Sequence, residues 1–355
     1  MVFSRFSIQA LLTLAVATAP LTAGAAADTR GDALDPLDPL VSPAATFRQP
    51  ASSVLISIAR AGTRLVAVGD GGLVILSDDD GKSWRQASVP VGVTLTSVRF
   101  ATPKRGWAVG HSGVILATAD GGQTWALQFD GRKFASMARE GDEAEAMPVS
   151  AGDPLLDVTF VDASHGFAVG AFGLFMETRD GGQNWTDVRD RLPNPDGNHL
   201  YGIRAIRGDV FIVGERGSVF RSTDGGRSFD ALPAPYAGSF FGLAAGKAGE
   251  LLIYGLQGHA FSSRDGGLTW RRVAEGQGRA WTGAARLDDA RLALVGSAGN
   301  VFVETSPAGA FEPMPGEHPP LSAAVAAPDG SLVAVGPAGV YRMAMPSTPE
   351  RSKQK

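Results

Sequence analysis

One feature constrains the fold of this chain more than any other: a hydrophobic-Gly step that returns seven times, at Gly69, Gly110, Gly170, Gly214, Gly255, Gly296 and Gly336. The intervals are 41, 60, 44, 41, 41 and 40 residues, and each step opens a G-x-x-G element closed by Gly72, Gly113, Gly173, Gly217, Gly258, Gly299 or Gly339. A second motif follows in five copies. It reads Ser77-x-Asp79-x-Gly81-x-Ser83-Trp84, then Thr118-x-Asp120-x-Gly122-x-Thr124-Trp125, then Thr178-x-Asp180-x-Gly182-x-Asn184-Trp185. Two further copies surround Asp224 and Asp265 and end at Phe229 and Trp270. A sixth has decayed, with Ser306 in the aspartate position and Phe311 as its remnant. Self-similarity at a period near 41 residues requires a repeat architecture.

Between the glycines, apolar and polar residues alternate with period two, as in Leu65-Val66-Ala67-Val68, which is strand patterning. The third repeat divides into four short strands over residues 157–161, 166–170, 174–179 and 184–188. Four strands per period make one propeller blade. The chain is therefore expected to be all-β, a seven-bladed β-propeller of four-stranded blades. First strands open on a Leu-x-small pattern, as in Leu55-Ile56-Ser57, Leu95-Thr96-Ser97 and Phe240-Phe241-Gly242, which suits a crowded central axis. The seventh repeat stops after its third strand, near Met343, whereas Phe47-Arg48-Gln49 copies the outer-strand start Trp84-Arg85-Gln86. The N-terminal strand is thus predicted to complete the last blade and remove the open edges.

The boundaries follow. Residues 1–27 read as a signal peptide: Arg5 is the only charge before a short apolar run, and Ala25-Ala26-Ala27 fits a small-residue cleavage site. Residues 28–42 read as a flexible linker, 43–345 as the propeller with an insert at 130–153, and 346–355 as a disordered tail. The mature chain is expected to be exported to the periplasm, or to a lumen in a photosynthetic host, without a membrane-spanning segment.

The repeated boxes are Asp boxes, read here as turn staples. The aspartate accepts backbone N–H groups of its own hairpin, glycine supplies φ > 0, and the aromatic wedges between strands. Asp79 and Trp84, Asp120 and Trp125, Asp180 and Trp185, Asp224 and Phe229, and Asp265 and Trp270 are assigned this structural role. Five aspartates in one repeated context cannot all be catalytic. A calcium loop lacks its alternating ligands and closing glutamate. With no cysteine, five histidines without ligand spacing, no nucleophile elbow and no phosphate loop, neither a metal, a cofactor nor catalysis is expected. A formal charge of −4 argues against nucleic acid.

Val109-Gly110-x-x-Gly113 followed by Thr118-x-Asp120-Gly121-Gly122-x-Thr124-Trp125, iterated, resembles the photosystem II stability/assembly factor family of Asp-box propellers, in its exported bacterial branch. The resemblance implies a non-enzymatic binding or assembly protein. Family members help assemble a membrane complex in photosynthetic lineages, and they carry an arginine-rich binding surface. Sialidases also carry Asp boxes, and a sialidase-like hydrolase or carbohydrate-binding propeller is the alternative; an accessory subunit of an envelope transport complex is the third reading. No tyrosine here stands beside a glutamate as the sialidase nucleophile pair would, and the repeats number seven rather than six.

The ring should bind where its symmetry breaks. Two long linkers, 130–153 and 189–200, neighbour each other on one face, and the G-x-x-G tips beside them carry His111, Phe172 and Arg216 instead of small residues. These three, with Arg132, Lys133 and Phe134 of the first linker, form the expected partner-binding surface. Arg99 and Arg204 lie in the sector that corresponds to the family's arginine-rich surface. The expected partner is a protein, membrane-associated, met by a monomeric propeller.

Overall fold

In a computed structural model, which describes residues 38–137, 150–275, 278–305 and 310–345, the seven repeats become seven antiparallel sheets. Six have four strands and one has three, each joined in simple sequential order. In blade three the strands run Leu155–Phe160, Gly166–Gly170, Phe175–Thr178 and Thr186–Asp187, so the third and the outer strands are shorter than their sequence patterns. The second strand of each blade, such as Gly106–Gly110 or Gly166–Gly170, is buried along its length, save Arg64 and Asp209 that open it in blades one and four, because both of its faces meet neighbouring sheets. That explains the apolar run before each repeated glycine. The expected signal peptide, the tail 346–355 and the middle of the 130–153 insert lie outside the described residues.

The core is divided by interfaces rather than concentrated at one centre. Each of seven hydrophobic clusters is shared by two adjacent blades. The cluster of Leu55, Leu65 and Ile75 with Ala327, Val333 and Val335 joins the first blade to the last. Apolar burial therefore closes the ring and leaves neither terminal blade with a bare face.

The closing segment behaves differently from the expected ladder strand. Residues 43–50 form no strand of the seventh sheet, which is three-stranded among the described residues. Gln86, on the outer strand of blade one, clamps the segment instead: its side chain accepts from the Phe47 N–H at 3.0 Å and donates to the Ala45 carbonyl at 2.8 Å. The Ala44 N–H donates to Val89 O at 3.1 Å. Pro43 and Pro50 have no N–H to offer a ladder, and the Ala44 and Phe47 N–H groups between them already point to blade one and its following linker. The segment still closes the last blade by packing. Phe47 and Val340 lie against the shared cluster, and the turn Pro50–Ser52 sits so close that a Cβ on Gly339 would lie 2.1 Å from Ala51 O. The chain reaches the ring earlier than the expected linker boundary, since Leu40 is buried between blades one and two and Pro39 O accepts from Gly92 at 2.7 Å. Deleting residues 41–50 is expected to cost about 2 kcal/mol, the scale of one partly buried aromatic with its bonds, and to broaden urea unfolding. An unchanged transition would remove this segment from the closure.

Each Asp box is closed on itself. In the second copy Asp120 Oδ1 accepts from the N–H groups of Gln123 and Thr124 at 2.9 and 3.0 Å, and Oδ2 accepts from Thr124 Oγ1 at 2.6 Å. Trp125 returns a bond from Nε1 to Gly122 O at 2.9 Å and is buried. Gly122 has φ +88°, and a side chain there would press on Leu76 and Val66 of blade one, so only glycine fits both the turn and the interface. The same bonds recur around Asp79, Asp180, Asp224 and Asp265. Phe229 is buried like Trp125 and Trp185, whereas Trp84 and Trp270 are partly exposed; Trp270 bonds to Pro233 O of the preceding linker at 2.9 Å.

These bonds hold the box carboxyls below the ordinary aspartate range. For Asp120, burial opposes the shift, but the Thr124 hydroxyl and N–H prevail and bring it to about 2. Hydroxyls of Ser83, Ser228 and Thr269 lower Asp79, Asp224 and Asp265 further, and the Asn184 N–H lowers Asp180. A carboxyl depressed in the folded state stabilises it above the unfolded pKa, about 3.9, and loses that contribution as pH falls through the folded value. Asp157, raised by burial, acts in the opposite sense, one group against five. The urea midpoint is therefore expected to hold above about pH 4 and to fall steadily toward pH 2. A midpoint independent of pH across that window would contradict the staple geometry.

Candidate partner-binding face and central channel

The G-x-x-G elements form tight tips, 3-10 turns in blades one to five, on the face that also carries the blade-to-blade linkers. In blades one to five the second variable residue of the tip is left-handed: Gly71 at φ 61°, Ser112 at 54°, Phe172 at 53°, Arg216 at 51° and Gln257 at 56°. Blade one uses glycine, the residue this conformation favours. A phenylalanine and an arginine at the equivalent positions work against the local backbone preference, which points to a use for their side chains.

Phe172 is half-buried. Its N–H donates to His199 Nδ1 at 2.8 Å, and the two rings meet edge-on at 4.7 Å. His199 comes from the second long linker and is fixed by its own N–H, which donates to Glu215 Oε2 of the next tip at 3.0 Å. With Nδ1 accepting, the proton of the neutral ring lies on Nε2. His199 leads to Tyr201 at 6.2 Å, and Tyr201 meets Phe241 edge-on at 5.5 Å. A continuous row of aromatic rings thus runs from the tip of blade three to the mouth of the central channel. Arg216 is exposed on the tip beside it, and His111 is exposed on the tip of blade two.

The Leu-x-small pattern explains the row. The middle residue of each triplet lines the channel mouth. In blades two and six it is a threonine that stitches neighbouring sheets, as when Thr96 Oγ1 donates to Leu155 O at 2.6 Å and Thr282 Oγ1 to Leu321 O at 2.6 Å. In blades four and five it is Tyr201 and Phe241. Sequence reasoning missed these two and His199, although the aromatic residue within Phe240-Phe241-Gly242 was the signal. It also missed blade five's tip, where Leu256 is 39 % exposed and Tyr236 Oη donates to Gln257 Oε1 at 2.9 Å.

The arginines expected on this surface separate into two places. Arg99 and Arg204 do not join the tips; they project from the first strands of blades two and four into the channel. Between them stands Asp157 of blade three, at the position where other first strands carry a small residue. Asp157 Oδ1 accepts from Ser97 Oγ at 2.7 Å and lies 3.5 Å from Arg99, while Oδ2 accepts from the Ile203 N–H at 3.0 Å and from Arg204. Burial raises this carboxyl, against the pull of Arg99 and the bonds from Ser97, Ile203 and Val158. Burial beside the cluster also pushes the Tyr254 hydroxyl well above the ordinary tyrosine range.

The first linker contributes less than expected. Phe134 is buried: it packs edge-on to Phe129 at 4.9 Å and lies under the blade-two tip, where a Cβ on Gly113 would touch it. The short helix Arg132–Met137 directs this face inward, so Phe134 cannot serve as a contact. Arg132 is exposed but held by Asp130 and Asp38, and the Lys133 ammonium donates to Gln128 O at 2.8 Å. Among the described residues no three metal-ligating side chains converge, and no helix is long and apolar enough to cross a membrane. Among the described residues lining the channel one carboxylate is present, that of Asp157, and it is already engaged. Arg48 is exposed on the segment along blade one's outer edge, away from the channel.

The family model for the photosynthesis system II assembly factor YCF48 matches residues 76–147 and 135–314. A photosystem II assembly lipoprotein Ycf48 of Synechococcus sp. (strain CC9902) is 40 % identical over 77 residues, 22 % of this chain and 23 % of the relative. A chloroplastic photosystem II stability/assembly factor HCF136 of Cyanidioschyzon merolae (strain NIES-3377 / 10D) is 27 % identical over 194 residues, 45 % of this chain and 43 % of the relative. The chain thus spans less than half the length of these curated relatives. Among solved structures, "YCF48 bound to D1 peptide" superposes with a TM-score of 0.61 at 14 % identity, covering 86 % of this chain and 99 % of that one, a likeness of fold.

Proposed function

The chain belongs to the family of the photosynthesis system II assembly factor YCF48, and on that premise we propose that it is an exported, non-enzymatic assembly factor that holds a segment of a membrane-complex subunit. The observation that carries this reading is the aromatic row Phe172–His199–Tyr201–Phe241, with Arg216 exposed beside it, on one sector of an otherwise bland ring. Aromatic residues and arginine are the side chains that anchor protein interfaces, and two of these anchors occupy backbone positions that favour glycine. A solved relative whose title names a bound peptide supports a protein ligand for this face. The sector extends from blade two to blade five, wider than the linkers alone suggested.

Glycine at both tip positions gives the test, because it removes the side chains and suits the left-handed backbone. Phe172→Gly with Arg216→Gly is expected to leave melting unchanged or slightly raised, and to lower recovery of partners from detergent-solubilised membranes at least about tenfold, the scale of one lost anchor. Undiminished capture by the double variant would move the interface off this sector. Release of sugar by the wild-type protein would replace the binding reading with a hydrolytic one.

A further inference from the structure

The channel below the aromatic row carries a charge unlike the rest of the molecule. Arg99 and Arg204 line both an upper cavity of about 300 Å³ and a lower one of about 360 Å³, so their guanidiniums stand at the waist between the two. Arg286 lines the lower cavity, and Asp157 is the one carboxylate among the described residues on either wall. Three arginines against one aspartate leave an excess of two positive charges, inside a chain whose formal charge is −4.

The donors at the waist outnumber their acceptors. Each guanidinium has five N–H bonds. Arg204 donates through Nη1 to Asp157 and to Ile203 O, and Arg99 donates through Nη1 to Val98 O. Arg99 Nε is enclosed and meets no protein acceptor. Enclosed donors on a guanidinium favour an oxyanion, which accepts from two N–H groups at once. Above the waist Leu156, Ile56, Tyr201 and Phe241 supply the apolar part of the wall, and Thr96, Thr282 and Ser322 complete it with hydroxyls.

We propose that the central channel binds a small monocarboxylic acid, its carboxylate on Arg99 and Arg204 and its apolar body between Leu156, Tyr201 and Phe241. A monoanion matches the single net charge that two guanidiniums and Asp157 leave at the waist. The apolar side of the mouth at Leu156, Tyr201 and Phe241 gives an organic body a surface that a bare inorganic ion could not use, and the volume lies at the small end of ligand pockets. Tyr201 and Phe241 are common to this site and to the partner-binding row, but the carboxylate is recognised by the waist arginines, which the partner reading does not use, so the two readings fail separately.

Calorimetric titration of the propeller with benzoate tests it, with benzamide and inorganic phosphate as comparison ligands. Benzoate is expected to bind saturably at one site, and the neutral amide and phosphate each at least tenfold more weakly. Arg204→Gln is expected to weaken benzoate at least tenfold while thermal unfolding stays cooperative. The benzoate–benzamide comparison uses wild-type protein, so it decides the matter even if that variant fails to fold. Absence of saturable benzoate binding, equal binding of benzamide, tighter binding of phosphate, or unchanged affinity in a folded Arg204→Gln protein would each overturn the assignment.

Discussion

Asp157→Ala is expected to destabilise the propeller by about 3–5 kcal/mol, the range for removing one partner of a buried ion pair. The aspartate is 5 % exposed at its side chain and is bonded to Ser97 of blade two and to Ile203 and Arg204 of blade four, with Arg99 of blade two at 3.5 Å. It therefore ties three successive blades at the axis. The loss does not measure the worth of the salt bridge, which desolvation largely offsets; it measures two arginines left facing each other without their counter-charge. That distinction supplies the test. In urea denaturation, Arg204→Leu should cost less in the Asp157→Ala background than alone, with a coupling of about 0.5–3 kcal/mol. Additive losses would show that the three groups do not act as a unit, and a mild Asp157→Ala variant would show that the channel tolerates two uncompensated guanidiniums.

Asp157 also marks where sequence reasoning ends. The blades and Asp boxes were legible because their signals are local: alternation within a strand, a glycine where φ is positive, an aspartate two residues after a hydroxyl. Ring closure was legible only in outline. The likeness of Phe47-Arg48-Gln49 to an outer strand is real in sequence, but Gln86, 39 residues away from Phe47, holds that segment against blade one. Phe134 had the look of an exposed anchor in a charged linker, yet a six-residue helix turns it under the tip at Gly113. Arg99 and Arg204 sit at equivalent positions of their first strands, Leu95–Phe100 and Leu200–Ile206, and only the ring brings both to one aspartate on the strand between. Residues whose roles come from the axis are invisible to a reading made along the chain.

The aromatic row makes the strongest statement about binding. Tyr201→Ala combined with Phe241→Ala is expected to weaken partner capture by about 2–4 kcal/mol, the span of centrally placed hot-spot residues. Both rings are half-buried at the mouth and touch each other edge-on, so the pair offers a rigid apolar platform whose ordering cost is already met in the free protein. Gly202 and Gly242, the small residues that follow them in sequence, are buried under the rings and stay unchanged, so the first strands keep their packing. Melting should therefore shift little. Blades six and seven provide the comparison, since Thr282 and Ser322 hold the same position at the mouth without an aromatic ring. Ser322→Ala should leave capture intact; Thr282→Ala is a poorer control because its hydroxyl also stitches two blades. Quantitative pull-down across a dilution series separates the cases. If the Tyr201/Phe241 variant retains its partner while Ser322→Ala loses it, the client docks on the opposite side of the mouth and the aromatic row serves the fold alone.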